Sequence, residues 1–328
     1  MNIKEKFIEL TSKTYPHPQD IEVVKLLPEG LTEDPFGNYY KIIGDGNSDT
    51  MFSAHLDTAD MYQKDVNHIF DTDENGDEWI RTDGTSILGA DDKAGVVVLL
   101  YMMENKIPGL YYFFVGEEAG LVGSGKLSNS FEKFDFLQNI KKMVSFDRRG
   151  FESIISRQMG RNCCSKGFVD SLSEQYGKNG LIMNDDPTGI YTDSAIFTEK
   201  IPECTNISVG YFNEHTSREC QNISFLEKLC EASVNVNWEE LTVDRKLKID
   251  KELYTEKENV INHLESLDFI NDMIIREEKE KLVISLTVDD TSSDVLLTEI
   301  DALVETFNKF KSDIEVEVNQ NTIEIFVN

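Results

Sequence analysis

The chain has 328 residues, enough for one large domain and a smaller second one. Hydrophobic residues make up 40% and charged residues 28%, and no apolar run approaches the ~20 residues that a membrane-spanning helix needs. The formal net charge of −29 argues against binding to nucleic acid backbones or anionic membranes, because both would repel the chain.

Two further features of the sequence indicate the cellular compartment. The first 13 residues form an amphipathic pattern containing Glu5 and Glu9, and they lack the apolar core of a secretory signal. The five cysteines are odd in number and have no C-x-x-C spacing, so a disulfide framework is not expected. We therefore expect a cytoplasmic protein.

The first third of the chain is predicted to form one helix and two hairpins. The predicted elements are a helix at 2–13, strands at 38–43 and 50–54, and strands around 69–70 and 79–80. Turn-forming residues at 44–47 would join the first pair, and Asn75-Gly76 would join the second. The acidic residues at 71–76 also resemble a calcium loop. The position that requires a bidentate glutamate is Thr82, however, so we favour the turn.

From residue 93 onward, helices and strands are predicted to alternate. The segment 93–105 is apolar on nearly all sides, as expected of a helix packed tightly on a sheet. Short apolar runs predict strands at 111–115, 143–146 and 207–212, and helices are predicted at 165–176, 193–200 and 225–236. This alternation predicts a three-layer α/β/α fold with a mainly parallel central sheet.

The character of the sequence changes at about residue 241, where a charged passage begins. The predicted elements beyond it are a helix at 255–266, a strand at 282–288, a helix at 295–310, and strands at 314–318 and 322–327. None of these elements carries a metal-ligand pattern. We therefore expect a main domain over residues 1–240 and a small α+β domain of unknown role over residues 241–328.

Acidic and imidazole residues occur at the ends of predicted strands and just before the 93–105 helix. They are His55, Asp91, Glu118, Asp147 and His215, with Glu117 directly before Glu118. Because parallel strands end at one edge of a sheet, these side chains are expected to converge there. Zinc prefers imidazole and carboxylate ligands, and two histidines with three carboxylates suit two ions. Cobalt or manganese would accept the same groups, so the native metal stays open.

Five motifs occur in a fixed order around these residues. They are His-x-Asp at 55–57, Gly-Ala-Asp-Asp-Lys at 89–93, Gly-Glu-Glu at 116–118, the strand-end Asp147 and the late His215. Together they resemble the co-catalytic di-zinc exopeptidases of peptidase clan MH, which include zinc aminopeptidases, peptidase T and acetylornithine deacetylase. The resemblance covers roughly residues 35–237.

The resemblance implies two zinc ions with a shared ligand. His55 and Asp147 would bind one ion, and Glu118 and His215 would bind the other. Asp91 would bridge the two ions.

The resemblance also implies roles for residues next to the ligands. Asp57 would orient His55, and Glu117 would act as the general base that activates the metal-bridging water. A cis peptide bond is implied between Asp91 and Asp92.

Substrate contacts are less specific. Tyr191 is a candidate for hydrogen bonding to a developing oxyanion. Asp193 resembles a family position near the substrate pocket, and a helix N-cap explains it equally well. A cationic group after the Asp147 strand would suit a substrate carboxylate, although surface ion pairs also account for these arginines. They are Arg148, Arg149, Arg157 and Arg161.

Spacing discriminates between branches of the clan. Deacylases and carboxypeptidases insert a domain before the final histidine, but only 67 residues separate Asp147 from His215. Glutamyl aminopeptidase-like members insert a domain before the bridging aspartate, but only 35 residues separate His55 from Asp91. The resemblance is therefore to the compact aminopeptidase branch.

We expect a metal-dependent enzyme that removes N-terminal residues from short peptides. The alternatives are an N-acyl amino acid deacylase or carboxypeptidase of the same clan, and a catalytically silent scaffold that acts through the C-terminal domain. The expected partner is a short peptide or small amide substrate, with no nucleic acid and no membrane. A homo-oligomer or a protein partner could form through the C-terminal domain.

Overall fold

The computed structural model describes residues 1–247, 270–278, 281–288, 314–319 and 322–327. The chain divides into two compact units, Met1–Leu247 and Lys248–Asn328. No helix among the described residues is both long and apolar enough to cross a membrane.

Five α-helices occur in the first unit. They are α1 (Ile3–Leu10), α2 (Ala90–Glu104), α3 (Val122–Asn129), α4 (Lys166–Lys178) and α5 (Ile223–Asn235). Four of them match predicted helices. The sequence did not predict α3, because Val-Gly-Ser-Gly-Lys-Leu-Ser-Asn contains two glycines and no apolar period.

Short 3₁₀ helices supplement the α-helices. They span Gln19–Leu26, Phe131–Lys133, Asp135–Leu137, Asp193–Phe197 and Trp238–Glu240. The predicted helix at 193–200 is therefore only a short 3₁₀ turn.

The strands of the first unit belong to three sheets. In chain order they are β1 (Thr32–Glu33), β2 (Tyr39–Ile43), β3 (Thr50–His55), β4 (His68–Thr72), β5 (Glu78–Thr82), β6 (Gly109–Phe114), β7 (Lys142–Arg148), β8 (Ser153–Ile155), β9 (Arg157–Gln158), β10 (Arg161–Asn162), β11 (Asn184–Asp186), β12 (Glu203–Ser208), β13 (Tyr211–Phe212) and β14 (Cys220–Asn222).

The central sheet has eight strands in the order β1-β2-β6-β3-β7-β12-β8-β11. Its middle strands β6, β3, β7 and β12 run parallel. Every residue of β3, β6 and β12 is buried, as expected when helices cover both faces of a parallel sheet. On β6, Tyr111 contacts Phe52, whereas Phe114 stacks on Phe197 of the 3₁₀ helix; alternate residues thus face different layers. The three-layer α/β/α prediction is confirmed.

Two strand predictions were wrong in detail. The strands β2 and β3 do not form a hairpin, because β6 lies between them. The predicted strand at 207–212 is broken: β12 ends at Ser208 and β13 begins at Tyr211 in another sheet. Between them, Gly210 has a φ of +93°, which favours glycine and turns the chain out of the central sheet.

A smaller antiparallel sheet has the order β13-β14-β5-β4. Its β4–β5 pair is the predicted hairpin, with Thr72 opposite Glu78. In its turn, one carboxylate oxygen of Asp73 accepts hydrogen bonds from the backbone N–H groups of Asn75 and Asp77.

Helix α2 packs very closely against the central sheet at Gly95. A Cβ atom at this position would lie 2.0 Å from the carbonyl oxygen of Phe146 on β7 and 2.5 Å from Oδ1 of Asp92. The absence of a side chain therefore lets the start of α2 approach the end of β7.

The second unit contains a four-stranded antiparallel sheet. Its strands are β15 (Ile270–Glu278), β16 (Lys281–Val288), β17 (Ile314–Asn319) and β18 (Thr322–Val327), in the order β15-β16-β18-β17. The three predicted strands are present, and β15 was missed. The predicted helices at 255–266 and 295–310 lie outside the described residues.

Candidate metal centre

The central sheet brings the predicted metal ligands to one edge. His55 is the last residue of β3, and Asp147 lies near the end of β7. Asp91 lies in the first turn of α2, while Glu118 follows β6 and His215 lies in the loop between β13 and β14. His55 and Asp147 thus come from the carboxyl ends of parallel strands, and the other three residues come from segments next to them.

Asp91 lies between the two imidazoles. Its Oδ1 is 3.0 Å from Nε2 of His55, and its Oδ2 is 3.2 Å from Nε2 of His215. Each oxygen of this one carboxylate thus faces a different histidine. This is the orientation that a bridging ligand requires.

Each imidazole also has a second carboxylate. Oδ1 of Asp147 is 3.6 Å from Nε2 of His55; we call this pair the strand half. Oε1 of Glu118 is 2.7 Å from Nε2 of His215; we call this pair the loop half. Two ligand atoms that bind a tetrahedral ion at about 2.0–2.1 Å lie roughly 3.3 Å apart. The observed distances fall around that value, so the residues fit divalent metal ions.

Asp92 is a further carboxylate that lies near the predicted ligands. His55, Asp91 and Glu118 form one group whose ligand atoms all lie close together, and His55, Asp92 and Asp147 form another. Asp92, however, accepts hydrogen bonds from the backbone N–H groups of His55 at 3.1 Å and Gly95 at 3.1 Å. Asp92 therefore stabilises the backbone around the ligands. The peptide bond between Asp91 and Asp92 is cis, as the resemblance implied.

Without metal, both imidazoles have pKa values above the usual range of histidine. Burial alone would lower the pKa of His55, but the neighbouring carboxylates of Asp147, Asp57 and Asp91 raise it well above its usual range. Hydrogen bonds to Asp91 and Glu118 raise the pKa of His215 to about 11. Protons and metal ions therefore compete for the same nitrogens.

Asp57 connects the first histidine to the Gly-Glu-Glu segment. It is completely buried, and its Oδ1 lies 3.3 Å from Nδ1 of His55. The backbone N–H groups of Glu117 and Glu118 each donate to one of its oxygens at 2.9 Å. The buried ammonium group of Lys93 donates to its backbone carbonyl oxygen at 3.1 Å. Asp57 is thus placed to orient the imidazole of His55.

Glu117 and Asp193 are carboxyl groups in a largely dehydrated setting. Burial, together with the charges of Asp147, Asp193 and Glu118, raises the pKa of Glu117 to about 10, although His55 opposes the shift. Burial raises the pKa of Asp193 to about 7.

Asp193 does not cap a helix. It is the first residue of the 3₁₀ helix Asp193–Phe197, where Thr192 holds the N-cap position. Asp193 is only 2% exposed.

Glu219 is a buried carboxylate that the sequence did not identify. Its Oε2 accepts from the backbone N–H groups of Leu88 and Gly89, both at 2.8 Å, and its Oε1 accepts from Asp91 N–H at 3.0 Å. Burial raises its pKa to about 7. It lies in the polar stretch Thr-Ser-Arg-Glu, which suggests an exposed loop, so no local signal pointed to this role.

Two hydroxyl groups hold Asp147, and neither was predicted to do so. Thr192 donates to Oδ2 at 2.7 Å. The buried hydroxyl of Tyr211 lies 3.0 Å from the backbone carbonyl oxygen and 3.2 Å from Oδ1. The orientation of Asp147 is therefore fixed from two directions.

A cavity of about 280 Å³ opens beside the ligands. Its lining combines the ligands and Glu117 with further polar groups, among them Arg148, Arg149, Tyr191, Thr192 and Glu214. Tyr191 is 50% exposed and faces this space, whereas Asp193 does not line it. A second cavity of about 590 Å³ adjoins the loop half and is lined by His17, Lys64 and Met61, among others.

The four candidate arginines have different surroundings. Arg148 pairs with Asp186, and Arg149 pairs with Glu214. Arg157 donates to a nearby backbone carbonyl oxygen, and Arg161 forms an exposed ion pair. Only the first two line the cavity beside the ligands.

Sequence similarity to known proteins covers a small part of the chain. No protein-family model matches the sequence. A Bacillus subtilis (strain 168) protein of uncharacterised function, YqjE, is 39% identical over 95 residues, which make up 26% of this chain. The match spans about a quarter, 24%, of that relative's length.

Two solved structures are similar over about 70% of the chain. The aminopeptidase PepT of Bacillus cereus ATCC 10987 has 18% identity and a TM-score of 0.58, covering 72% of this chain and 97% of that chain. A tripeptidase of Staphylococcus aureus subsp. aureus Mu50 has 18% identity and a TM-score of 0.54, covering 71% of this chain and 96% of that chain. The chain therefore has the fold of the clan MH exopeptidases that its motifs resemble.

Proposed function

We propose that the chain is a metal-dependent aminopeptidase that hydrolyses the first peptide bond of short peptides. One observation carries this proposal: the carboxylate of Asp91 lies between two imidazoles, and each imidazole has a second carboxylate beside it. The arrangement adjoins a cavity of about 280 Å³, near the lower end of ligand-pocket sizes. Such a cavity suits a small peptide.

The metal centre is proposed to hold two divalent ions, with zinc as the first choice and cobalt or manganese as alternatives. The strand half would hold one ion and the loop half the other, with Asp91 shared. When bound, such ions polarise a carbonyl oxygen and lower the pKa of a water molecule.

Glu117 is proposed as the general base of the metal-loaded site, where the charge of the bound ions would oppose the burial that raises its pKa. Its side chain lines the cavity beside the ligands, and it is the residue before Glu118. It would take a proton from the attacking water and deliver that proton to the nitrogen of the leaving residue. Asp57 would keep Glu117 in place through its hydrogen bond to the Glu117 backbone N–H.

Two other residues receive proposed roles near the substrate. The hydroxyl of Tyr191 would donate to the oxyanion that forms at the scissile carbonyl. Asp193 does not line the cavity, so we propose that its charge acts on Glu117.

The substrate class and location are also proposals. The similarity to a tripeptidase supports a short peptide or small amide as the substrate. All five cysteines are free and buried, which agrees with a reducing compartment such as the cytoplasm. The second unit is proposed as a surface for a protein partner or for another copy of the chain.

The decisive experiment uses the full chain on matched sets of free and N-acetylated short peptides. Hydrolysis is followed by mass spectrometry of the new termini, with chelator and after restoring zinc. Metal-dependent loss of N-terminal residues from free peptides is the expected result. A Glu117→Gln variant should keep its metal and lose hydrolysis. The absence of any cleavage would overturn the proposal in favour of a silent scaffold.

A second candidate is an N-acyl amino acid deacylase or carboxypeptidase. The observation that favours it is the presence of Arg148 and Arg149 in the lining of the cavity, because guanidinium groups bind carboxylates well. Arg148→Glu discriminates the two. Loss of activity only towards substrates with a free carboxylate would favour the second candidate.

A further inference from the structure

A short 3₁₀ helix next to the metal centre is held at both of its ends. It spans Asp193–Phe197, with Thr192 at its N-cap and Thr198 at its C-cap. Thr192 donates to Oδ2 of Asp147 at 2.7 Å, so the orientation of this carboxylate depends on where the helix begins. The helix is about 10 Å long, because a 3₁₀ helix rises about 2 Å per residue. A shift of its far end would therefore move Thr192 as well.

Arg245 holds that far end of the helix. Its Nη2 donates to the carbonyl oxygen of Thr198 at 2.7 Å. Its Nη1 donates to the carbonyl oxygens of Pro202 at 2.7 Å and Ile201 at 3.3 Å. The last carbonyl groups of a helix have no partner within the helix and carry a partial negative charge, so a cation stabilises them. One guanidinium group thus fixes the segment 198–202.

Other contacts hold the middle of the same helix. Phe197 stacks on Phe114 of β6 with ring centroids 6.0 Å apart. Ser128 of α3 donates to the carbonyl oxygen of Ile196 at 3.0 Å. Both contacts involve residues within the helix, whereas Arg245 holds residues beyond its last turn. Arg245 therefore adds a restraint that these contacts do not supply.

Arg245 lies close to the end of the first unit. The unit ends at Leu247, and the second unit begins at Lys248. The passage Asp-Arg-Lys-Leu-Lys at 244–248 follows the part of the chain that resembles clan MH, so the resemblance assigns it no role. The structure nevertheless connects this passage to the helix beside the metal centre.

We propose that Arg245 is a positioning residue for the metal centre, because it keeps the 3₁₀ helix where Thr192 can donate to Asp147. This inference rests on the proposed function, in which Asp147 binds a metal ion. Without the guanidinium group, the carbonyl groups of 198–202 would lose their donor and the helix would shift. The hydrogen bond from Thr192 would then lengthen. The residues that lead into the second unit are thus part of the support of the centre.

The test is a double-mutant cycle in the full chain, because two groups that act through one contact do not have additive effects. The variants are Arg245→Gln, Thr192→Val and the two combined. Zinc affinity is measured by competition with a chelator. Lys6→Met is the matched control, since Lys6 donates to the carbonyl oxygen of Leu26 at the end of another 3₁₀ helix. That helix, Gln19–Leu26, has no hydrogen bond to Asp147 in the part of the chain that the structure describes.

Arg245→Gln and Thr192→Val should each weaken zinc binding about 5-fold, which corresponds to one hydrogen bond. The combined variant should also lose about 5-fold, whereas independent effects would multiply to about 25-fold. Lys6→Met should leave zinc affinity unchanged. Arg245→Lys keeps the charge and should recover part of the loss, and it takes the place of Arg245→Gln in the cycle if that variant does not fold. Multiplied effects, or full zinc affinity in Arg245→Gln, would overturn the inference.

Hydrolysis of free peptides by the same variants separates two kinds of failure. Multiplied effects in a chain that cleaves peptides would overturn the role of Arg245 alone. A chain that binds zinc and cleaves no peptide would overturn the proposed activity, while the zinc titrations still decide the role of Arg245. If the wild-type chain neither binds zinc nor cleaves any peptide, the proposed function and the inference both fail.

Discussion

The two halves of the metal centre are held in different ways. In the strand half, His55 and Asp147 lie on adjacent parallel strands, and their side chains are 1% and 9% exposed. In the loop half, Glu118 and His215 lie in connecting segments, and the side chain of His215 is 50% exposed. The comparison shows that one edge of a sheet can combine a rigid, buried pair of proposed ligands with an accessible pair. We expect the loop half to exchange its ion more readily.

The largest effects are expected from removing either imidazole. His55→Ala should cost at least about 10³-fold in activity, because metal polarisation contributes several kcal/mol. His215→Ala should keep the ion of the strand half, so that metal content falls from about two ions per chain to about one. Metal content is measured by mass spectrometry after dialysis.

His68→Asn is the control for both variants, since His68 hydrogen-bonds to Thr11 away from the centre. Equal metal loss from His55→Ala and His215→Ala would break the proposed difference between the halves.

The next largest effect concerns Glu219, which holds the backbone of Asp91, the proposed shared ligand. The backbone N–H groups of Leu88, Gly89 and Asp91 donate to the two carboxylate oxygens of Glu219, and Glu219→Gln removes one of these acceptors. Metal affinity should fall about 10- to 100-fold, as is common for groups that support a ligand. Because Asp91 serves both halves, both ions should be affected in a competition titration with a chelator.

Glu203→Gln provides a matched control for this variant. Glu203 is also a buried carboxylate that accepts backbone hydrogen bonds, from Ser165, Asp244 and Arg245. Similar losses of metal affinity in both variants would show that the effect of Glu219→Gln is a general loss of stability.

Acid should weaken metal binding at the loop half. The pKa of His215 is raised to about 11 without metal, so this imidazole carries a proton throughout the neutral range. Metal binding must displace that proton, and apparent affinity should therefore rise with pH by about tenfold per unit for each proton displaced. Zinc titrations in weakly buffered solution would measure the protons released. An affinity that is flat between pH 6 and pH 8 would contradict the description of the site.

The smallest expected effect is at Thr192. Thr192→Val removes the hydroxyl that donates to Oδ2 of Asp147 and keeps a similar volume. Activity should fall about 5-fold, corresponding to a hydrogen bond worth about 1 kcal/mol. Thr205→Val is the control, because its buried hydroxyl donates to Ile155 on the sheet instead. A loss above about 100-fold for Thr192→Val would mean that the strand half is less rigid than its burial indicates.

The sequence predicted that the proposed ligands would lie close together, because several of them follow recognisable strands. His55 and Asp147 end apolar runs, and such runs become parallel strands when helices cover both faces. The supporting groups were not predictable in this way. Glu219 acts on backbone N–H groups from a segment that is about 130 residues away along the chain, a contact no local pattern encodes.

Errors in the fold prediction have similar causes. The strands β2 and β3 looked like a hairpin because a turn separates them, but both pair with β6, which comes much later in the chain. Strand β15 was missed because Ile-Asn-Asp-Met-Ile-Ile-Arg-Glu-Glu lacks regular alternation of apolar and polar residues. The difference in exposure between the two halves depends on the path of loops, which periodicity does not report.

The close approach at Gly95 gives the site an unusual kind of vulnerability. Asp91 and Asp147 belong to different elements, and the spacing between those elements depends on the hydrogen atom that glycine has in place of a methyl group. A saturation mutagenesis screen for metal-dependent activity should therefore find position 95 as intolerant as the ligand positions. A residue with no functional group would then set the span between two carboxylates that are proposed to bind metal.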